Sequence, residues 1–155
     1  MNLAVLKKTR RAPKAGDVFV MLPPDGLYLH GCVISTTADA GFSSPCNLIY
    51  VYRFRTREKT PVPELVPKQL LVLPMMTNNL PWTRGYFESL EHREIAPRDW
   101  LSQHCFKDCF GRYFDEHCNE LPGPVEPVGQ WGLHSFRTID DEISKALGIP
   151  LAPDT

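Results

Sequence analysis

A chain of 155 residues, 43% hydrophobic and 23% charged, has the length and composition of one folded domain that buries a core without disulfide staples, and disorder does not fit it. Its net charge of −1 gives no general attraction to phosphate backbones or anionic membranes, so nucleic acid is set aside as the leading partner. No run approaches the roughly 18 apolar residues of a membrane span. Fifteen prolines against ten glycines predict short strands joined by stiff loops, with little helix.

Residues 1–15 carry Lys7, Lys8, Arg10, Arg11 and Lys14. They lack the apolar run and the small-residue cleavage site of an export signal, and the expectation is a frayed, solvated, flexible leader. Five cysteines without an export signal imply a reduced, cytoplasmic chain. A single β-rich domain is expected over residues 16–150, followed by a short tail, 151–155.

The stretch from Gly16 to Ser35 reads as a β-hairpin. Asp17 to Leu22 is rich in valine and phenylalanine, which suits a pleated, half-buried surface. Pro23-Pro24-Asp25-Gly26 supplies a turn, because proline presets φ while Asp25 and Gly26 tolerate sharp or left-handed backbone. Leu27 to Ile34 is the returning strand. Gly31 inside it has no side chain to pack and marks a bulge or a barrel corner.

Thr36 to Cys46 reads as a small-residue loop. Leu48 to Phe54 is the clearest strand, with Leu48, Tyr50, Tyr52 and Phe54 on one face and Ile49, Val51, Arg53 and Arg55 on the other, suggesting one packed and one partly wet side. Arg53, Arg55 and Arg57 alternate with aromatics as in strands that stack bases, but Glu58 follows and no wider basic patch exists, so a solvated edge is the better reading. Thr60 to Gln69 is a proline-stiffened loop. Leu70 to Met76 is a further strand that Pro74 confines to an edge, and Thr77 to Asn79 a turn. Trp82 to Leu90 is another strand, interrupted by Gly85, and one helical turn is expected after Pro97.

His104 to Cys118, HCFKDCFGRYFDEHC, concentrates histidine and cysteine. A structural zinc site pairs cysteines two to four apart on a knuckle and repeats the pair farther on. Here the second pair would be the adjacent His117 and Cys118, which point to opposite faces of a strand. Buried cysteines acting as small hydrophobes are the simpler reading, and no neighbour activates a thiol. The segment is expected to form two short strands, His104 to Lys107 and Arg112 to Phe114, around Gly111.

Glu120 to Gly132 reads as a loop. Ile139 to Leu147 is the one clear helix: Thr138 is a natural N-cap, acids fill the first turn, and Ile139, Ile143, Ala146 and Leu147 form an apolar stripe ended by Gly148 and Pro150. From Asp115 onward the acids Asp115, Glu116, Glu120, Glu126, Asp140, Asp141, Glu142 and Asp154 outnumber the bases Arg137 and Lys145, a surface able to attract a basic partner. The resulting fold class is mostly β (α+β): a single antiparallel, partly closed sheet or small barrel with one C-terminal α-helix.

GDVF, PDGLY with Gly31 following, TRGYF at 83–87, RYFDEHCNEL at 112–121 and VGQWGLHSFRTIDDEISKALGIP at 128–150 together resemble the immunity protein 26 family, over about Gly16 to Pro150. The resemblance implies a largely β protein that neutralises a bacterial polymorphic toxin, with no catalytic residues and no cofactor. On that reading the chain is no enzyme but a binding protein whose partner is a cognate protein toxin. Its candidate contacts are Tyr28 and Trp131 as aromatic anchors and Asp115, Glu116, Asp140, Asp141 and Glu142 as an acidic surface. The alternative is a small β-barrel that binds nucleic acid or the ribosome through the Arg53 to Arg57 strand. A hydrolase using Asp115, Glu116 and His117 around a metal is the weakest reading, since such a triplet arises readily by chance on a surface turn.

Overall fold

The computed structural model describes residues 1–42 and 44–154. Ser43, within the predicted loop from Thr36 to Cys46, and Thr155, at the end of the predicted tail, lie outside the described residues. Two sheets replace the single expected one, and neither closes into a barrel. The larger contains β1 (Asp17–Met21), β2 (Tyr28–Ala38), β3 (Cys46–Thr56), β4 (Met75–Thr77), β5 (Glu88–His92) and β10 (Leu133–His134), ordered β10-β4-β3-β2-β1-β5. The smaller contains β6 (Cys105–Lys107), β7 (Tyr113–Phe114), β8 (Glu120–Leu121) and β9 (Val128–Gln130), ordered β8-β7-β6-β9.

The reason for two layers lies in β3. Ile49 and Val51 sit in a core cluster with Phe19, Trp82, Phe87, Ile139 and Ile143. Leu48, Tyr50 and Tyr52 sit in a second cluster with Cys32, Ile34 and Phe106. A central strand that is apolar on both faces must be covered on both. The expected wet face does not exist over Leu48 to Tyr52. Arg53 and Phe54 are exposed only where the strand outruns the core.

The opening hairpin forms as expected, with β1 antiparallel to β2 and Gly26 at φ +83° in the turn. The bulge is present too: the pairing of β2 with β3 slips between Leu29 and Gly31. β2 and the following β3 both outrun the expected strands, so Thr36 to Ala38 and Cys46 of the predicted Thr36 to Cys46 loop are strand.

Other boundaries differ for local reasons. Of the expected strand Leu70 to Met76, Met75 and Met76 join β4, and Leu70 makes one isolated bridge to Tyr52. The expected strand from Trp82 begins instead as a one-turn helix, α1 (Leu80–Thr83), with proline in its first turn. Gly85 at φ +86° ends it, and extended backbone resumes at Glu88. The helical turn after Pro97 is there, as a 3-10 turn at Pro97–Asp99. Two short strands, β8 and β9, emerge within the predicted loop Glu120 to Gly132.

The C-terminal helix, α2, spans Phe136–Leu147 and starts three residues earlier than expected. Ser135, not Thr138, is its N-cap, and the Ser135 hydroxyl accepts from the Thr138 amide at 3.2 Å. Gly148 at φ +70° closes it. Ile139 and Ile143 face the core and Leu147 packs beside them, whereas Ala146 is exposed.

The leader departs from its expected state as well. Leu3 is 4% exposed in the first core cluster. The amides of Ala4 and Leu6 donate to the carbonyls of Leu22 and Gly85 at 3.0 and 2.8 Å. Asp140 accepts from the amides of Asn2 and Leu3 at 3.0 and 2.7 Å. One apolar side chain and one buried carboxylate thus dock a segment whose charges alone suggest solvation. Removing that carboxylate in Asp140→Ala leaves the buried Leu3 amide and the half-buried Asn2 amide unpaired and is expected to cost about 2 kcal/mol. Hydrogen exchange should quicken across residues 2–9, and protection that stays at the wild-type level there would show that Leu3 and the backbone bonds of Ala4 and Leu6 hold the leader without Asp140.

Candidate interaction surface

A buried hydrogen-bond chain joins the small sheet to the large one. The Leu101 amide donates to the Tyr50 hydroxyl at 3.0 Å. That hydroxyl is bonded to His104 Nε2, and His104 Nδ1 to Glu116 Oε2 at 3.0 Å. Tyr50 and His104 are buried. Burial works to raise the Glu116 carboxyl, but hydrogen bonds from His104 and from its own backbone amide together outweigh that and hold it below the ordinary carboxylate range. Burial pushes the Tyr50 phenol up, so it stays a donor. The arrangement resembles a proton relay in outline, yet its members face one another inside the core, and its work is to fix the loop at Leu101 and the strand ends at 104 and 116.

Outside this chain the small sheet carries an aromatic surface. Asp108 builds the turn between β6 and β7: its carboxylate accepts from the Phe110 and Arg112 amides at 2.9 and 2.8 Å and from Arg112 Nε at 2.8 Å. Gly111 at φ +80° completes the reversal. Phe110 is thereby held in solvent, 79% exposed. The Arg112 guanidinium lies 5.4 Å from the Phe110 ring centre and 5.5 Å from that of Phe114. Phe114 in turn packs on Trp131 with centroids 4.8 Å apart. The indole of Trp131 lies beside Gly41, the neighbour of Phe42, which is 63% exposed. The Asp39 amide donates to the Glu116 carbonyl at 2.8 Å and ties that loop to the sheet.

Three sequence-predicted contact residues, Trp131, Asp115 and Glu116, therefore meet at the small sheet. Asp115 feels a raising effect of burial, but the amides of Asn119 and His117 donate to it and keep it below the usual carboxylate range. The other four lie elsewhere, Tyr28 on β2 and Asp140, Asp141 and Glu142 together on α2. Tyr28 opens β2, and the length of that strand places it roughly 30 Å from Ala38 at the other end. Asp140 is 1% exposed and holds the leader, so its assignment to an acidic contact surface is corrected: it offers nothing to a partner. Asp141 and Glu142 are half-buried on α2, with Glu142 paired to Lys145 at 3.2 Å.

Sequence reasoning does not single out Phe110, Phe42, Arg112 and Phe114. A signal exists for Phe110, since a phenylalanine inside an Asp-x-x-Gly turn has no core to enter.

A cleft of about 1160 Å³ opens elsewhere, between the Pro67 to Met75 segment, the loop at Trp100 and Leu101, and the Glu142 to Ala146 side of α2. Its walls are mostly apolar and its rim mixes Lys68, Arg98 and Lys145 with Glu126 and Glu142.

The basic strand is partly spent on the fold. Arg55 bonds Asp25 at 2.6 Å and the Leu27 carbonyl at 2.8 Å, and Arg53 reaches the Leu70 carbonyl at 3.3 Å. The cysteines divide: Cys32, Cys46 and Cys105 are buried, but Cys109 is exposed and Cys118 intermediate, so the small-hydrophobe reading of the 104–118 cysteines holds only for Cys105. Burial pushes the Cys32 thiol up to about 12. Among the described residues, no three His, Cys, Asp or Glu side chains converge where a metal ion could sit, and no helix is long and apolar enough to cross a membrane.

The family model for immunity protein 26 matches residues 14–114, more than half of the chain. The match takes in the opening hairpin, β3, His104 and the turn that carries Phe110. The closing segment from Val128 to Pro150 lies beyond it. No curated protein and no solved structure matches the chain.

Proposed function

The chain belongs to the immunity protein 26 family, and from that premise we propose that it binds one cognate toxin domain of a bacterial polymorphic toxin system in the cytoplasm and neutralises it by occlusion. It works as a stoichiometric inhibitor, without catalysis or cofactor. The family match carries the reading. Exposed aromatic side chains support it, because binding energy in protein interfaces is concentrated in a few aromatic and arginine anchors. A standard interface covers about 800 Å² per partner, a small part of the 8463 Å² that this chain exposes, so one face suffices.

The test is a tagged pull-down from the native host at moderate salt, followed by expression of the captured domain in a heterologous bacterium with and without this chain. A near-stoichiometric partner that arrests growth alone and is harmless when co-expressed is the expected result. Recovery of RNA or ribosomal proteins that wash off at higher salt would overturn the inhibitor reading.

A further inference from the structure

Resting on the immunity reading, we infer that the aromatic surface of Phe42, Phe110, Arg112, Phe114 and Trp131 is where the toxin docks, and that the segment it receives is basic, a loop or helix face bearing arginine or lysine. Phe110 and Phe42, at 79% and 63%, are the two most exposed large apolar residues among those described. Neither ring contributes to a core cluster, so folding gives no reason for their exposure. Phe110 adjoins the Arg112–Phe114–Trp131 stack through Arg112 and Phe42 follows Gly41, which lies beside the Trp131 indole; the Asp108 turn and the bond from the Trp131 amide to the Lys107 carbonyl at 2.9 Å already hold the stack in place. Little ordering entropy remains to be lost on binding.

Charge selects the partner. Residues 104–120 contain four acids, Asp108, Asp115, Glu116 and Glu120, against Lys107 and Arg112; Asp108 is paired with Arg112 and Glu116 with His104, and among the described residues Asp115 and Glu120 have no lysine or arginine partner. The leader, with five of the basic residues, is anchored through Leu3 in the cluster on the opposite face of the large sheet. The Arg112 guanidinium already lies over Phe110 and Phe114, so an incoming guanidinium or ammonium is drawn by the carboxylates of Asp115 and Glu120 while its apolar stem packs on the exposed rings. The apolar cleft beside α2 has a rim of mixed sign, with Glu142 already paired to Lys145, and selects no such partner.

Two measurements decide this. In the first, a hexa-arginine peptide is titrated into the isotope-labelled full chain at low salt. Shift changes centred on Phe42, Phe110, Phe114 and the Trp131 indole support the inference, while changes centred elsewhere, or none, overturn the basic-partner half of it. In the second, the captured toxin domain is measured against a Phe42→Ala/Phe110→Ala double variant, with Ala146→Asp in the cleft as control. The double variant removes only solvent-exposed rings and should fold as wild type. Its affinity should fall about 100-fold, the control should bind normally, and raising salt should slow wild-type association about tenfold. Wild-type affinity in the double variant would overturn the surface and leave the immunity reading standing. Failure of the wild-type chain to capture any toxin domain would overturn that reading itself.

Discussion

Gly31→Ala is expected to destabilise the protein by about 3 kcal/mol, the upper range for overpacking a close-packed core. A Cβ at this position would collide with Cζ of Phe19 and lie 2.6 Å from its Cε2 and 2.7 Å from the Tyr50 carbonyl oxygen. Phe19 has no room to retreat, because its ring is stacked on Phe87 at 4.4 Å and meets the edge of Trp82 at 5.3 Å. The clash therefore spreads from the β1–β2 pairing into the aromatic trio and across to β3. Gly26→Ala is the matched comparison. Gly26 has φ +83° with nothing near its missing Cβ, so only the left-handed backbone is penalised, at about 1 kcal/mol. Urea unfolding of both variants gives the order directly, since the midpoint shifts at constant slope. Adding Phe19→Leu to Gly31→Ala should recover part of the loss but not all, because the Tyr50 carbonyl remains. Strictly additive effects would show that the two side chains do not compete for the same space.

Gly31 also shows how far sequence carries. A lone glycine in an otherwise apolar strand is legible as a bulge, and a bulge is what the β2–β3 register contains. What it accommodates, a phenylalanine ring from the neighbouring strand, depends on pairing that no local pattern states. The same limit explains β3. Alternation of Leu48, Tyr50 and Tyr52 with Ile49 and Val51 marks a strand, but two apolar faces are equally compatible with a half-wet sheet until a second layer is known to exist. That layer is built from strands of two or three residues, too short for any periodicity to register. The interaction surface suffers likewise: Trp131 and Asp115 are legible as candidates one at a time, while the loop that carries Phe42 is brought to the small sheet by Gly41 beside the Trp131 indole and by the Asp39 amide. Asp140 misleads for a related reason. Its helical neighbours Asp141 and Glu142 suggest a solvated acidic face, and the amides that claim it come from residues 2 and 3, nearly the full chain length away.

His104→Ala should cost about 3 kcal/mol and loosen the small sheet from the large one, because it takes one hydrogen-bond partner from the buried Tyr50 hydroxyl and one from the half-buried Glu116 carboxylate and leaves a cavity. A neutral imidazole satisfies every member of the chain: the Leu101 amide donates to Tyr50, the Tyr50 hydroxyl to Nε2, and Nδ1–H to Glu116. Tyr50→Phe removes the middle link only and is expected to cost about 2 kcal/mol. Because both changes break one network, the double variant should lose less than the two single losses combined. The acid limb of stability supplies an independent reading. The folded-state pKa of Glu116 lies below its ordinary 4.5, so the ionised carboxylate stabilises the fold fully above about pH 4.5, and that contribution disappears as pH falls through the lowered value. Glu116→Gln should therefore flatten the loss of stability on going from pH 5 downward. It will not abolish it, since Asp25, Asp108 and Asp115 are lowered too. Chemical unfolding between pH 3 and 7 measures the difference. A Glu116→Gln curve that runs parallel to wild type throughout would mean that the carboxylate is no better held in the folded chain than in the unfolded one. The coupling between the two sheets would then have to come from the Tyr50–His104 bond, the Asp39–Glu116 backbone bond and the apolar contacts of the second cluster.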